Sequence, residues 1–306
     1  MLTKNWWAAM AAMVCATLVV TACAGDPSDG KSDLIEPSQV SLPNPLPAVT
    51  WQSTLPYDDL TLSAKERDRL HLAYNKLVEV CAKRFGTTLT RVEDDPEALG
   101  PEFALWAGRF GTLPLEQAKK YGYHAAPGEP VTKPWAIFTD EDEQPVLGVL
   151  QGEFSQGQEV PRDSAGSPVP SGGCRGEAAK KVGGDPNALG PENAEELRLA
   201  ALHDPRTVAA SEQWSSCMRA RGYKYAKLDG PIDEALGKRL AEPEKLIAVA
   251  DVGCTRTSRW RDISFAIERG LQMASIDVHR DKYEASLKAE RHMLERAEAL
   301  AAEAND

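Results

Sequence analysis

The chain has 306 residues and a net charge of −11, with 35 Lys and Arg against 46 Asp and Glu. Such a length suffices for one large domain or two small ones. The acidic balance argues against nucleic acid as a partner, whose phosphates need Lys and Arg, and against electrostatic docking to anionic lipid.

Lys4 precedes an apolar run from Trp6 to Val20, and that run ends in Val20-Thr21-Ala22-Cys23. A positive n-region, an apolar h-region and small residues before a cysteine form an export signal, and the last four residues resemble a bacterial lipobox. In lipoproteins with this pattern the cysteine becomes the diacylglyceryl-modified first residue of the mature protein. Residues 1–22 therefore read as a lipoprotein signal peptide and Cys23 as the lipidation site. A membrane span is the weaker reading, because a spanning helix needs about 20 apolar residues and the run from Trp6 to Cys23 offers only about 18. The expected location is the extracytoplasmic face of the cell membrane. With an acidic mature chain, the acyl chain (palmitate or a similar fatty acid) must supply the attachment.

From Ala24 to Pro56 the chain carries Pro27, Pro37, Pro43, Pro45, Pro47 and Pro56, with Ser, Gly and Asp between them and little apolar periodicity. Residues 23–61 thus read as the lipidated cysteine followed by a flexible tether, with an upper reach of roughly 100 Å at about 3.1 Å per residue. Order is expected from residue 62 onward.

Ser63-Ala64-Lys65-Glu66 is a capping box, and Leu70, Tyr74, Leu77, Cys81 and Phe85 recur at three or four residues until Gly86 ends the helix. Short helices broken by glycine follow, Pro101 to Arg109 and Pro114 to Tyr121. A third starts at Thr139, capping Asp140-Glu141-Asp142-Glu143, and carries Val146, Leu147, Val149 and Leu150. Those acids suit a helix N-terminus better than a calcium loop, whose alternating ligands and glycine are missing. Glu153 to Gly173 reads as irregular and exposed. Pro191 to His203 is a short helix, and Asp204-Pro205 caps and starts the next, running through Val208, Trp214 and Cys217 to Gly222. Pro243 starts a helix that continues to near Glu303. Its seam is Trp260, Ile263, Ile267, Leu271, Ala274 and Val278, resuming after a shift at Tyr283, Leu287, Leu294 and Ala297. The last turns are rich in helix formers with a thin apolar seam, which predicts a tail that binds a partner helix more than it supports the body. The competing reading packs that seam on the helix bearing Leu70 and Leu77.

The result is a mainly α ectodomain over residues 62–306. Two echoes, Asp95-Pro-Glu-Ala-Leu-Gly-Pro-Glu against Asp185-Pro-Asn-Ala-Leu-Gly-Pro-Glu and Cys81-Ala-Lys-Arg-Phe-Gly against Cys217-Met-Arg-Ala-Arg-Gly, allow two halves, 62–182 and 183–306. Their unequal offsets argue against a simple tandem repeat and leave a half-and-half origin with insertions open.

Four cysteines remain beyond the signal and the lipobox, Cys81, Cys174, Cys217 and Cys254, an even number in an exported chain, which predicts disulfides. No pair has C-x-x-C spacing, so zinc is disfavoured. Of three pairings the sequential one is chosen, Cys81 with Cys174 and Cys217 with Cys254. Each half then pairs a helix cysteine, with four residues between it and a glycine, to a cysteine directly after Gly173 or Gly253. Chain entropy predicts about 4 kcal/mol from each bridge.

His71, His124, His203, His279 and His292 stand singly, and neither a metal motif, a G-x-S-x-G nor a phosphate-cradling loop is present. A Cys-His nucleophile would need a free thiol. No cofactor or metal is expected. Trp106, Tyr121, Tyr123 and His124 beside Gly108, Gly111 and Gly122 form the richest aromatic-polar cluster. It could floor a glycan or peptide groove, although core packing of a loop-rich region explains it more simply.

Val169-Pro-Ser-Gly-Gly-Cys174-Arg-Gly-Glu-Ala178, Asp204-Pro-Arg with Trp214-Ser-Ser-Cys217-Met-Arg-Ala-Arg-Gly222-Tyr223, Ala248-Val-Ala-Asp251-Val-Gly-Cys254 and Lys120-Tyr-Gly-Tyr-His124 together resemble a family of uncharacterised actinobacterial, Streptomyces-like cell-surface lipoproteins. The likeness runs from about Leu62 to the C-terminus, except Pro127 to Gly166. It implies a helical, disulfide-bonded protein of the cell surface, sometimes associated with export or envelope loci, and it implies no activity. The expected role is a binding or accessory protein of the cell envelope or of a transport system, with an envelope or transporter protein as partner. The alternative is a wall-directed enzyme with a site near Trp106 to His124. A solute-binding protein of two α/β lobes is disfavoured by the lack of strand pattern.

Overall fold

A computed structural model describes residues 35–50, 53–91, 113–124, 137–138, 144–235 and 242–304. The segment read as a signal peptide, Cys23, the helix expected over 101–109 and the acidic cap expected at 140–143 lie outside the described residues. Ser63 Oγ accepts from the Glu66 backbone N–H while Ser63 N donates to Glu66 Oε2 at 2.8 Å, so both ends of the capping box close at the start of α1, Ala64–Arg84. Leu70, Tyr74, Leu77 and Cys81 are buried, and Gly86, at φ 74°, takes the left-handed conformation that lets the chain leave the helix. The other helices are α2 Leu115–Tyr121, α3 Gln144–Gln151, α4 Gly173–Val182, α5 Ala194–His203, α6 Pro205–Ala220, α7 Gly230–Ala235, α8 Glu242–Ser258 and α9 Trp260–Glu303. The only strands among the described residues are β1 Thr90–Arg91 and β2 Ile137–Phe138, a two-residue antiparallel pair. The chain is mainly helical, as its periodicity predicts.

With 44 residues, α9 is about 66 Å long at 1.5 Å per residue, and successive parts of it enter different cores. Trp260 packs with Trp214, Met218 and Ala250 of α6 and α8. Ile267, Leu271, Ile276 and Tyr283 pack with Leu197 and Ala201 of α5 and with Val40 and Tyr57. Leu294 and Ala297 join Leu70, Tyr74, Leu77 and Val78 of α1, with Ala178 and Val182 of α4. A fourth core joins α2, α7 and α8 through Ala118, Tyr123, Ile232 and Val252.

Several expectations need correction. Residues 35–50 and 53–62 are not a free tether: they form a strap bound across α9, within the one compact unit Leu34–Asp306. Two 3₁₀ turns, Pro37–Gln39 and Pro56–Leu60, shape the strap. Val40, Leu55, Tyr57 and Leu62 are buried, Val40 against Gly270, where a Cβ would stand 2.5 Å from Val40 Cγ1. Arg206 donates to Val40 O and Pro37 O at 2.7 Å each, Arg259 to Leu46 O at 2.6 Å, and Val49 N to Asp262 Oδ1 at 2.8 Å. The single long helix from Pro243 is two, because Arg259 stands at φ 57° between α8 and α9. A left-handed conformation is uncommon for a residue with a side chain; here Arg259 Nε is anchored to Asp262 Oδ2 at 2.8 Å. Val278 is 51% exposed, not part of the seam. The phase shift beyond it coincides with His279, whose φ −120° and ψ 22° interrupt the helix. The tail is core, not a free interaction helix, since Tyr283, Leu294 and Ala297 are buried within the molecule.

Helix α4 begins where two glycines let backbones meet. Gly173 has φ 65°, and a Cβ there would overlap Leu150 O at the end of α3. Gly173→Ala is expected to destabilise by at least about 3 kcal/mol, combining left-handed strain with overpacking. Gly183→Ala, at φ 99° with open space around it, should cost only about 1 kcal/mol. Urea midpoints of the two variants measure the difference.

Candidate functional site

Cys81 is bridged to Cys174 with Cα atoms 5.5 Å apart, which ties α1 to α4, and Cys217 to Cys254 at 5.6 Å, which ties α6 to α8. The pairing is the sequential one. Cys81, Cys174 and Cys254 are buried and Cys217 is half-buried, and with all four bonded in bridges none is available as a thiol nucleophile. Among the described residues no group of three or more His, Cys, Asp and Glu could hold a metal ion.

The described part of the aromatic-polar cluster packs on α8. Tyr123 is buried, its backbone N–H donating to Glu244 Oε1 at 2.9 Å and its hydroxyl to Asp251 Oδ2 at 2.9 Å. Burial, reinforced by the Asp251 charge, pushes the Tyr123 phenol far above its ordinary pKa, so it remains a donor. His124 is buried too, with Nε2 3.0 Å from Glu244 Oε2. Tyr121 is half-buried and carries Lys120 Nζ 4.8 Å over its ring. Trp106, Gly108 and Gly111 lie outside the described residues. Tyr123 and His124 are interior packing, not the floor of an open groove.

Asp251 is the hub of this interior. Its carboxylate accepts from Tyr123, from Trp214 Nε1 at 2.8 Å and from Thr255 Oγ1 at 3.1 Å. Three donors on one buried carboxylate satisfy it well.

Near this hub a cavity of about 520 Å³ opens between α5, α6, α7 and the start of α9. Its buried end is Trp260 and Arg261, 4% and 5% exposed, and Leu202, Leu228 and Ile232 form an apolar wall. Toward solvent stand Arg198, His203, Lys227 and Asp229. The Arg261 guanidinium lies 4.2 Å over the Trp260 ring, a cation–π contact. Burial lowers its pKa to about 10, against the opposing pull of Asp251. It is therefore charged at neutral pH. Yet Arg261 Nε, Arg261 Nη1 and Trp260 Nε1 are buried without a hydrogen-bond partner among the described residues. Each such orphaned donor costs about 1–3 kcal/mol. Arg261 is also the second residue of α9, where the positive end of the helix dipole disfavours a cation.

Sequence reasoning placed Trp260 on a core seam and passed over Arg261. One signal was present: Arg259 and Arg261 open a helix whose first turn ordinarily carries acids. No protein-family model, curated protein or solved structure matches the chain.

Proposed function

We propose that the protein is a lipid-anchored, extracytoplasmic binding protein of a bacterial cell envelope, accessory to an envelope or transport system, and that the cavity at the start of α9 is where it binds. The observation that carries the reading is that Trp260 and Arg261, two residues lining that cavity, hold buried donors without a hydrogen-bond partner among the described residues. A stable fold does not ordinarily bury a charged guanidinium without hydrogen bonds, whereas a pre-formed site does present donors to its ligand. The extracytoplasmic part of the reading draws on the lipobox-like Val20 to Cys23, on the motifs shared with actinobacterial lipoproteins, and on the two disulfides, which persist in oxidising compartments. The wall-directed enzyme is not favoured, because Tyr123 and His124 are buried and committed to α8.

Cys23→Ser is expected to abolish labelling by a fatty-acid probe and to leave the precursor unprocessed in bacterial cells expressing the chain. Labelling that survives the substitution would overturn the anchor.

A further inference from the structure

We infer that the cavity recognises an organic anion, its oxyanion head (carboxylate or phosphate) held by Arg261 and the Trp260 indole N–H and its apolar body lying against Leu202, Leu228 and Ile232. The inference rests on the reading of the cavity as a binding site and is independent of how the protein is attached to the membrane.

Three observations point to an anion. Arg261 is the buried cation of the cavity, and its Nε and Nη1 donate to no described residue. The carboxylate that acts on it, Asp251, accepts from Tyr123, Trp214 and Thr255, so it acts on Arg261 through its charge and leaves Nε and Nη1 without an acceptor among the described residues. An oxyanion beside Arg261 would accept those hydrogen bonds and relieve both the burial of the charge and its position at a helix N-terminus. The Trp260 indole, also without a partner, adds a neutral donor at the same end.

The remaining lining agrees with this polarity. In a chain of net charge −11, the cavity wall holds Arg198, Lys227 and Arg261 against one acid, Asp229, although Arg198 is itself paired with Glu195 at 2.6 Å. Cations at the mouth draw an anion inward and the buried guanidinium retains it. A volume of about 520 Å³ is larger than a bare inorganic ion needs, and it lies in the range of small-molecule sites. The apolar wall gives the rest of such a ligand a place to lose its water.

The test is calorimetric titration of the full chain, in detergent, with three probes that share one alkyl body: sodium butyrate, butyl phosphate and 1-butanol. At least one anion should bind saturably, one per chain, and at least tenfold tighter than 1-butanol. The tighter of the two anions identifies the head group. Arg261→Gln should weaken the anion at least tenfold and leave 1-butanol unchanged. Because Arg261 is interior, the exposed Lys227→Glu provides a second variant whose folding is not at stake; it should weaken the anion about threefold or more. If 1-butanol binds as tightly as both anions, or if neither variant weakens the anion, the anion inference falls while the binding site stands. If none of the three binds, both fall.

Discussion

Truncating the chain after Asp281 should lower its melting temperature by more than about 10 °C, a large shift for a domain of this size. The removed piece holds Tyr283, Glu290, Leu294 and Ala297, all buried. Tyr283 shares hydrogen bonds with Tyr57 at 3.1 Å and Ser275 at 2.7 Å. Glu290 accepts from Thr61 Oγ1 and Leu62 N at 3.0 Å each and from Gly190 N at 2.6 Å. Leu294 and Ala297 close the core of α1 and α4. Burying a large apolar side chain contributes about 1.5–3 kcal/mol, and each hydrogen bond to a charged group about 1.5–3 kcal/mol. Their combined loss is comparable to the whole stability of a typical domain, about 5–15 kcal/mol. Thermal melts followed by near-ultraviolet circular dichroism give the result; a drop of only a few degrees would mean that the tail is dispensable.

Asp251→Ala should destabilise by about 3–5 kcal/mol, the usual consequence of removing one member of a buried charged network. It would strip a partner from Tyr123, Trp214 and Thr255 together and leave Arg261 without the carboxylate that steadies its charge. Asp251→Asn keeps the shape and one acceptor oxygen, so it should cost less than the alanine variant. Denaturant midpoints of the two variants measure the separation. Equal stability of Asp251→Ala and the unmodified protein would remove Asp251 from its place as hub.

Local rules were readable where the chemistry is local. Ser63 with Glu66, Asp204 before Pro205 and the glycines beside each cysteine stand within a few residues of what they cap or pair, and α1, α6 and both bridges follow from them. The jump in apolar phase after Val278 even marks the interruption at His279. The strap was not readable. Its polar ties run from backbone groups to Arg206, Arg259, Asp262 and Gln272, more than 160 residues away, and its buried residues Val40, Leu55 and Tyr57 follow no period. An apolar seam also gives no sign that Glu268, Gln272 and Ser275 of α9 are buried: Gln272 Oε1 accepts from Tyr57 N–H at 3.0 Å, Ser275 Oγ from the Tyr57 hydroxyl at 2.7 Å, and Glu268 Oε1 from Gln272 Nε2 at 3.0 Å. Helix α4 escaped notice because its N-terminus is Gly172-Gly173, with no capping side chain. The cavity is assembled from individual residues of four helices and a connecting segment between Arg198 and Arg261, and no motif announces such a site.

The strap has a kinetic consequence. Its ties to α9 join residues 213 to 229 positions apart, as in Val49 N with Asp262 and Thr61 with Glu290. Contacts of such long range slow folding, because loop closure must precede the gain that rewards it. The α1 core likewise lacks Leu294 and Ala297 until the end of the chain arrives. In a chain made N-terminus first, the strap core and the α1 core would therefore close last, waiting for Tyr283, Leu294 and Ala297, whereas the buried residues of the other two cores end at Val252 and Trp260 and can pack while the tail is still being made.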